Sequence, residues 1–443
     1  MTTAVELVGM RESPPFLKLG MTRAGHAVDG RAAVQHGRRR AMEFMNAAYG
    51  ISQPHYHHHD DEDDKRLGLR ASSPGFVTTL ALGTPPATFT AVVDTGSSLV
   101  WQQCQPCFLC YPQHGPIFNP NNSVTYTKMG CQHPLCTSLT TLFTCDPTYS
   151  SPISCVYKYT YALGGTGGYL AHDTLTLPNA STGRLRPHEP APSFTGFAFG
   201  CGLLNVGNPS NFSGAAGVVG LGRGLTSLVS QLLIKHFSYC LQSYSYPDPS
   251  AVSPLYLNPP PPAPPVPGAH TVKTHIISNP HNPSPYYIAL KGISIGDSLL
   301  RIPAGTFDLK SNGSGGAIVD TGTYTTMLPT PAYEVVVGAL IRTIRVAPLD
   351  INPRTEGFDL CFASHDNVQV NIDLHLDGGD LRLPTDNYFV ETRDGDKYCL
   401  NMAASPPGGP AILGSFLQQN VHVKYNLATN LLSFTPTQCE TLP

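Results

Sequence analysis

"AVVDTGSSLV" (residues 91–100) runs β-branched residues into an aspartate, Asp94, at the mouth of a Thr-Gly-Ser-Ser turn. A buried strand that ends on an unpaired carboxylate carries a heavy desolvation cost. Either a second group shares that charge, or the strand stops at a wet edge. The rest of the chain chooses between the two. "GGAIVDTGTYTTML" (315–328) repeats the motif, with Asp320 in the role of Asp94. Each copy is followed by an apolar stretch ending in glycine, "GVVGLGRG" (217–224) after the first and "PAILGSF" (410–416) after the second. A chain with two such halves can pair them about a pseudo-two-fold axis. The two aspartate turns then face each other and share a proton.

The chemistry follows from the sharing. Two carboxyls a few ångströms apart cannot both ionise cheaply, so one titrates low and the other high. The ionised partner can take a proton from a bound water, which attacks an amide carbonyl. The protonated partner stabilises the developing oxyanion and helps protonate the leaving nitrogen. This scheme calls for no metal, cofactor or covalent intermediate. The flanking residues suit it. Gly96 and Gly322 let the backbone approach the carboxylates and offer N–H donors. Thr95 and Thr321 can exchange hydroxyl hydrogen bonds across the axis, while Ser97 and Thr323 can orient the outer carboxylate oxygens. Gly220 and Gly414 lie where a strand would pass close behind each turn.

At 443 residues the chain is long enough for two domains with sizeable cores. With 27 basic and 30 acidic residues, a net charge of −3 argues against a nucleic-acid partner. Only 13% of residues are charged, while Gly and Pro number 42 each, a mixture that suits many short strands joined by turns. No apolar run approaches the ~20 residues of a membrane span. The twelve cysteines, seven of them between 104 and 155, point to disulfides formed in a secretory compartment. Four glycosylation sequons, at Asn121, Asn179, Asn211 and Asn312, point the same way. Against them, "MTTAVELVGMRESPPFLKLG" has no apolar core of a signal peptide.

Residues 1–70 differ from the rest. "RAAVQHGRRRAMEF" is a basic, helix-compatible stretch, and "HYHHHDDEDDKR" cannot bury a core. A removable pro-segment is the expectation; a metal site at His55, His57, His58 and His59 beside Asp60 and Asp61 is the lesser reading of the histidine run. From about residue 75 short apolar runs alternate with turns, as in "FVTTLALGTPP", "SCVYKYTYAL", "YLAHDTLTLP" and "SFTGFAFGCG". Short helices fit "SLVSQLLIKH" (227–236) and "TPAYEVVVGALIRTI" (330–344), the latter with Pro near its first turn. The proline-dense segment 247–268 reads as a surface excursion between the two halves, unable to hold a sheet ladder. The expected organisation is a pro-segment-like region at 1–70, an N-terminal β lobe at 71–246, the Pro-rich excursion at 247–268 and a C-terminal β lobe at 269–443.

Taken together, Asp94-Thr95-Gly96-Ser97, Asp320-Thr321-Gly322-Thr323, Val218-Val219-Gly220 and Ile412-Leu413-Gly414 resemble the pepsin-like aspartic proteases. A lone Asp-Thr-Gly is weak; two copies 226 residues apart with matching downstream glycines are not. "LVWQQCQPCFLC", "FGCG" (199–202), "GLGRGLTSLVSQL" (220–232), "FSYCL" (237–241) and "ILGSFLQQNVHVKYNL" (412–427) resemble more narrowly the plant nepenthesin-type branch. The resemblance implies a mainly β, bilobal fold with a substrate cleft between the lobes and a β-hairpin flap above it. A shared proton between the aspartates is the behaviour known for this family's dyad. The resemblance assigns Trp101, the only Trp, to the active site and Tyr161 to the flap, where the tyrosine would hydrogen-bond the indole. It also implies the disulfides Cys104–Cys107, Cys110–Cys201, Cys131–Cys155, Cys136–Cys145, Cys240–Cys439 and Cys361–Cys399. Sequence alone could not choose that connectivity. Two departures stand out. Ala162-Leu163-Gly164-Gly165-Thr166 replaces the branch's Gly-Asp-Gly-Ser-like run after the flap tyrosine, and the bulky Tyr324 follows Thr323.

Other readings of the same residues are weaker. "CQPCFLC" lacks the further cysteine of an iron–sulfur loop and suits a disulfide-stapled loop. "GLGRG" has no βαβ unit with an acidic residue about 20 positions on, so it is not a dinucleotide fingerprint. The sequence therefore predicts a monomeric, cofactor-free aspartic endopeptidase working at acidic pH on extended polypeptides. Asp94 and Asp320 activate the water, with no nucleic-acid partner and no membrane span. The expected compartment is extracellular or vacuolar, with the plastid as the alternative. The competing reading is a catalytically weak or inactive binding or inhibitor protein on the same fold, and a storage protein ranks below it.

Overall fold

The computed structural model describes residues 17–24, 30–49, 75–138, 143–146, 154–161, 164–178, 185, 191–207, 214–244, 252–258, 265–353, 357–366, 368–392 and 395–442. The first aspartate motif closes strand Ala87–Asp94, whose apolar residues Ala91 and Val93 are buried. Gly217–Gly220 lies parallel beside it, with Gly220 opposite Asp94. The second motif repeats the arrangement: Ala317–Val319 runs into Asp320 and pairs in parallel with Ala411–Leu413. The downstream apolar-glycine stretches are therefore the strands behind the two turns. A Cβ on Gly220 would stand 2.4 Å from the Ser98 carbonyl carbon, and one on Gly414 2.5 Å from the Tyr324 oxygen. Only glycine fits at these crossings.

The fold is mainly β. One 15-stranded sheet passes through both halves of the molecule, and the second aspartate sits on a separate five-stranded sheet. Toward one end of the large sheet, His236–Cys240 from the first half pairs with Val421–Asn426 from the second. No helix among the described residues is long and apolar enough to cross a membrane. Helix Thr330–Thr343 forms as its sequence predicts, with proline at its start. The helix expected over 227–236 is reduced to Leu228–Gln231, capped by the Ser227 side chain; Leu233, at φ 53°, takes the chain out of helical geometry.

Two expectations about the chain's path need correction. The Pro-rich segment holds a strand after all: Ser253–Leu257 pairs with Leu17–Met21 on one side and with Phe237–Tyr239 on the other. Its only proline, Pro254, stands opposite Gly20, just before the three residues that pair on the other side, so the missing N–H is confined to the strand's end. Strand Leu17–Ala24 is the second surprise, because it lies inside the same sheet, between Ser253–Leu257 and Gly75–Leu82. Leu19 and Met21 are buried there, so part of the expected pro-segment contributes to the core. The helix foreseen in the basic stretch spans Gly30–Tyr49. The histidine- and acid-rich run at 55–66 lies outside the described residues.

The cysteine pairing also departs from the expectation. Two bonds form as the resemblance implies, Cys240–Cys439 and Cys361–Cys399. Cys361 and Cys399 stand directly opposite each other on paired strands, and Cys240–Cys439 ties the first half to the chain's last turn. The other four expected bonds are corrected. Cys104–Cys201 and Cys107–Cys110 replace Cys104–Cys107 and Cys110–Cys201. Cys131–Cys145 and Cys136–Cys155 replace Cys131–Cys155 and Cys136–Cys145. The physical reason for the first exchange is strand register. Strand Trp101–Gln103 runs parallel to Gly200–Gly202, and Cys104 continues it by donating its N–H to Gly202. That brings Cys104 rather than Cys110 against Cys201, leaving Cys107 and Cys110 to close the loop between them. In the second exchange, Cys145 and Cys155 face each other across one ladder, and each reaches a different end of the 131–136 segment. Cys145 takes Cys131, and Cys155 takes Cys136 on the short helix Pro134–Ser138.

Candidate active site

The two turns meet through a pair of mirrored threonines. Thr95 Oγ1 accepts from the Thr321 N–H at 3.0 Å and donates to the Val319 carbonyl at 3.1 Å. Thr321 Oγ1 accepts from the Thr95 N–H at 3.1 Å and donates to the Val93 carbonyl at 2.9 Å. Four buried hydrogen bonds thus lock the second motif to the first, as the pairing of motifs predicts. Each carboxylate is then seated alike. Asp94 Oδ1 accepts from the Gly96 N–H at 2.8 Å and Oδ2 from the Ser97 hydroxyl at 2.5 Å. Asp320 Oδ1 accepts from the Gly322 N–H at 2.9 Å and Oδ2 from the Thr323 hydroxyl at 2.6 Å.

The bare glycines let the carboxyls approach. A Cβ on Gly322 would lie 2.4 Å from Asp94 Oδ1, and one on Gly96 would lie 2.7 Å from Asp320 Oδ1. Asp94 and Asp320 are 3% and 0% exposed, so neither relies on water to spread its charge. Burial pushes the Asp94 carboxyl above the ordinary Asp range, and the neighbouring Asp320 pushes it the same way against the pull of Arg40.

Arg40 is the functional residue that the sequence did not single out. It projects from helix Gly30–Tyr49 into the space between the aspartates and is 2% exposed. Its Nη2 donates to Asp94 Oδ1 and Oδ2 at 2.7 and 2.8 Å, and its Nε to Asp320 Oδ2 at 3.2 Å. One guanidinium bridges both carboxylates, which no single ammonium could match in fork geometry. The helix approaches closely because its inner face is small: Ala33 and Ala41 are fully buried, and a Cβ on Gly37 would strike the Met327 sulfur at 2.3 Å. The cluster Arg38-Arg39-Arg40 was the available signal; nothing in it says which arginine points inward.

Trp101 and Tyr161 meet as expected, the indole Nε1–H donating to the Tyr161 hydroxyl at 2.9 Å. Tyr161 ends strand Ser154–Tyr161, which forms a hairpin with Gly164–Thr176; the Ala162-Leu163 tip lies outside the described residues. Tyr324 does not crowd the dyad. It is 1% exposed and packs against Tyr244 and Phe416, in a buried cluster that also takes in Ala33 of helix Gly30–Tyr49. Of the four sequons, Asn121 and Asn312 are exposed, while Asn179 and Asn211 lie outside the described residues.

Residues 76–254 match the family described as Xylanase inhibitor N-terminal, and residues 285–436 the one described as Xylanase inhibitor C-terminal. Aspartic proteinase nepenthesin-2 of Nepenthes gracilis is 35% identical over 418 residues, covering 92% of this chain and 85% of that protein. Nepenthesin-1 from the same plant is 38% identical over 375 residues, covering 82% and 78%. The chain belongs to the pepsin-like aspartic protease family. Among solved structures, that of edgp superposes with a TM-score of 0.66 at 22% identity, covering 82% of this chain and 92% of that one. Basic 7S globulin from soybean gives 0.63 at 19% identity, covering 83% and 94%. These two establish the likeness of fold alone. Within the family, this chain's curated relatives at about 35% identity are named as aspartic proteinases.

Proposed function

We propose that this protein is an aspartic endopeptidase of acidic compartments, held inactive in the intact chain by its own N-terminal segment. The observation that carries the reading is the pair of mirrored, buried carboxyls seated on facing Asp-Thr-Gly turns. With the cleft open, the ionised member of the pair would take a proton from a water that attacks the amide carbonyl, while the protonated member gives its proton to the carbonyl oxygen; the first member, now protonated, would then pass its proton to the leaving nitrogen. Asp94, whose environment favours the neutral carboxyl, suits the donor role. Tyr161, held by Trp101, would close over an extended polypeptide. Arg40 occupies the position that water and a scissile carbonyl would need. Removal of residues 1–70 is therefore the proposed activation step. Six disulfides support maturation in an oxidising, secretory compartment, where the exposed Asn121 and Asn312 would be open to glycosylation.

The test is digestion of a denatured protein at about pH 4, near the ordinary carboxyl value, after acid treatment of the intact chain. A statine-type inhibitor should block cleavage. Asp94→Asn should lower turnover by at least about a thousandfold while leaving the fold intact. Full activity in that variant would overturn the mechanism. The matched family descriptions, which name xylanase inhibitors, favour one second reading: a protein that uses the cleft or its rim to bind another enzyme. An inert wild type that retains a protein partner from the same tissue would favour it.

A further inference from the structure

The flap hairpin is not free-standing. Strand Ser193–Gly207 extends alongside it, so that Thr166 faces Asn205 and Gly164 faces Gly207. At the root of this three-stranded element the register slips: Gly167 pairs with Leu204 but Gly168 with Gly202, leaving Leu203 without a place in the ladder. Asn205, 2% exposed, fills the slip. Its Nδ2 donates to the Gly202 carbonyl at 2.9 Å, and its Oδ1 accepts from the Thr166 hydroxyl at 2.7 Å. Thr166 spends its one hydroxyl proton on Asn205, so the 2.8 Å contact with Tyr157 is donated by the tyrosine. The result is a buried relay with a fixed direction, Tyr157 to Thr166 to Asn205 to the Gly202 backbone. Each strand of the element supplies one member.

Tyr157 lies on the same face of the first flap strand as Tyr161, four residues on. Its ring sits over Gly200, where a Cβ would stand 2.7 Å from the ring and 3.0 Å from the Trp101 Cβ. The relay thus fixes the flap strand against the strand that carries Trp101, and with it the distance over which Trp101 reaches the Tyr161 hydroxyl. We propose that Asn205 and Thr166 are positioning residues for the flap: they set Tyr161 on Trp101 through Tyr157. The catalytic side of this inference rests on the function proposed above; the structural side does not. Apolar replacement of a buried hydrogen-bonding group leaves its partners unsatisfied, and here the broken tie is the one that joins the hairpin to its third strand near the flap; the ties from His172 to the Gly196 carbonyl and from Thr176 to Ser193 lie further from the hairpin's tip.

Trp101 is the only tryptophan, so its indole N–H resonance reports this contact without interference. The experiment compares wild type, Thr166→Val, Thr166→Ser and Asn205→Ala as full chains. It measures solvent exchange of the indole N–H and thermal stability, and, after acid activation, KM and kcat separately. Thr166→Val and Asn205→Ala should speed indole exchange about tenfold, the cost of one unmade buried hydrogen bond. They should lower kcat/KM by a similar factor, mainly through KM. Thr166→Ser, which keeps the hydroxyl, should restore protection and KM. Wild-type exchange in a stably folded Thr166→Val would overturn the proposal. Equal damage in Thr166→Ser and Thr166→Val would overturn it too, since packing would then matter and the relay would not. If no variant, wild type included, hydrolyses peptide while the exchange pattern holds, the fault lies with the proposed activity and not with the brace.

Discussion

Between Asp94 and Asp320, three charges share one dry space, and their titration decides what the chain does. Considered alone, the Asp94 carboxyl is raised by burial, so its contribution favours the fold below the ordinary Asp value of 3.8 and is lost as pH rises through the raised value. Arg40 works in the opposite sense, because it needs the carboxylates ionised. On acidification Asp94 takes its proton early, and a guanidinium that is 2% exposed loses half of its counter-charge. His36, one turn earlier on the helix, adds to this. Burial and the charge of Arg40 push its imidazole from 6.5 down to about 3, so the neutral ring supports docking above pH 6.5 and that support is lost as pH falls toward 3. Both groups drive release in acid. Arg40→Gln should therefore raise the Asp94 carboxyl further and open the dyad without acid. A statine-type inhibitor should bind that variant at pH 6 at least about tenfold more tightly than the intact wild type, by calorimetry, since a charge-assisted contact no longer has to be displaced. Equal affinities would mean that Arg40 does not guard the site.

One strand of the central sheet carries its own acid sensitivity. His422, on Val421–Asn426, hydrogen-bonds the Ser238 hydroxyl at 2.8 Å and packs edge-on against Tyr256, so it spans three strands. Burial, with help from Lys424, lowers its imidazole from 6.5 to about 4. A folded value below the unfolded one gives stability that is present above pH 6.5 and lost as pH falls through 4. The full effect at pH 4 is on the order of 3 kcal/mol. His422→Gln should be less stable than wild type at pH 7, where a hydrogen bond is weakened, and should close or reverse that gap at pH 4 in urea unfolding. A gap that stays constant between the two pH values would remove His422 from the account. Elements of this kind also mark what could be read from sequence. The Asp-Thr-Gly turns and the glycine strands behind them were legible because each needs a residue that no other type replaces. The strand Ser253–Leu257 was not, because proline density around it hid a five-residue run that needs only one ladder fully. The cysteines carry no partner information in their spacing. Cys145 and Cys155 stand opposite each other and still bond elsewhere, to Cys131 and Cys136, whereas Cys361 and Cys399 stand opposite and do bond. Arg40 was legible as part of a basic helix; its ion pair exists only once both lobes surround it.

At the scale of the whole molecule, the N-terminal segment holds on by two devices of different character. Helix Gly30–Tyr49 is held at the dyad by charge, and strand Leu17–Ala24 by backbone pairing to Gly75–Leu82 on one side and Ser253–Leu257 on the other. The ion pairs dissolve in acid, whereas a backbone ladder has no titrating group. Leu19 and Met21 add buried apolar area that pH does not change. Cutting the chain is thus a different event from freeing the cleft. With a specific protease site introduced between residues 49 and 75 and cleaved at pH 7, the fragment should stay bound, co-eluting with the body on size exclusion, and the dyad should remain closed to a statine-type inhibitor. Lowering the pH to about 4 should undock the helix first, so inhibitor binding appears while mass spectrometry still finds the fragment attached through its strand. Full loss of the fragment should come later and expose two sheet edges, with a lower thermal midpoint for the stripped body. Release of the fragment on cutting at pH 7 would show that charge and ladder together hold less than the geometry implies. Simultaneous loss of strand and helix at pH 4 would show that the two act as one unit.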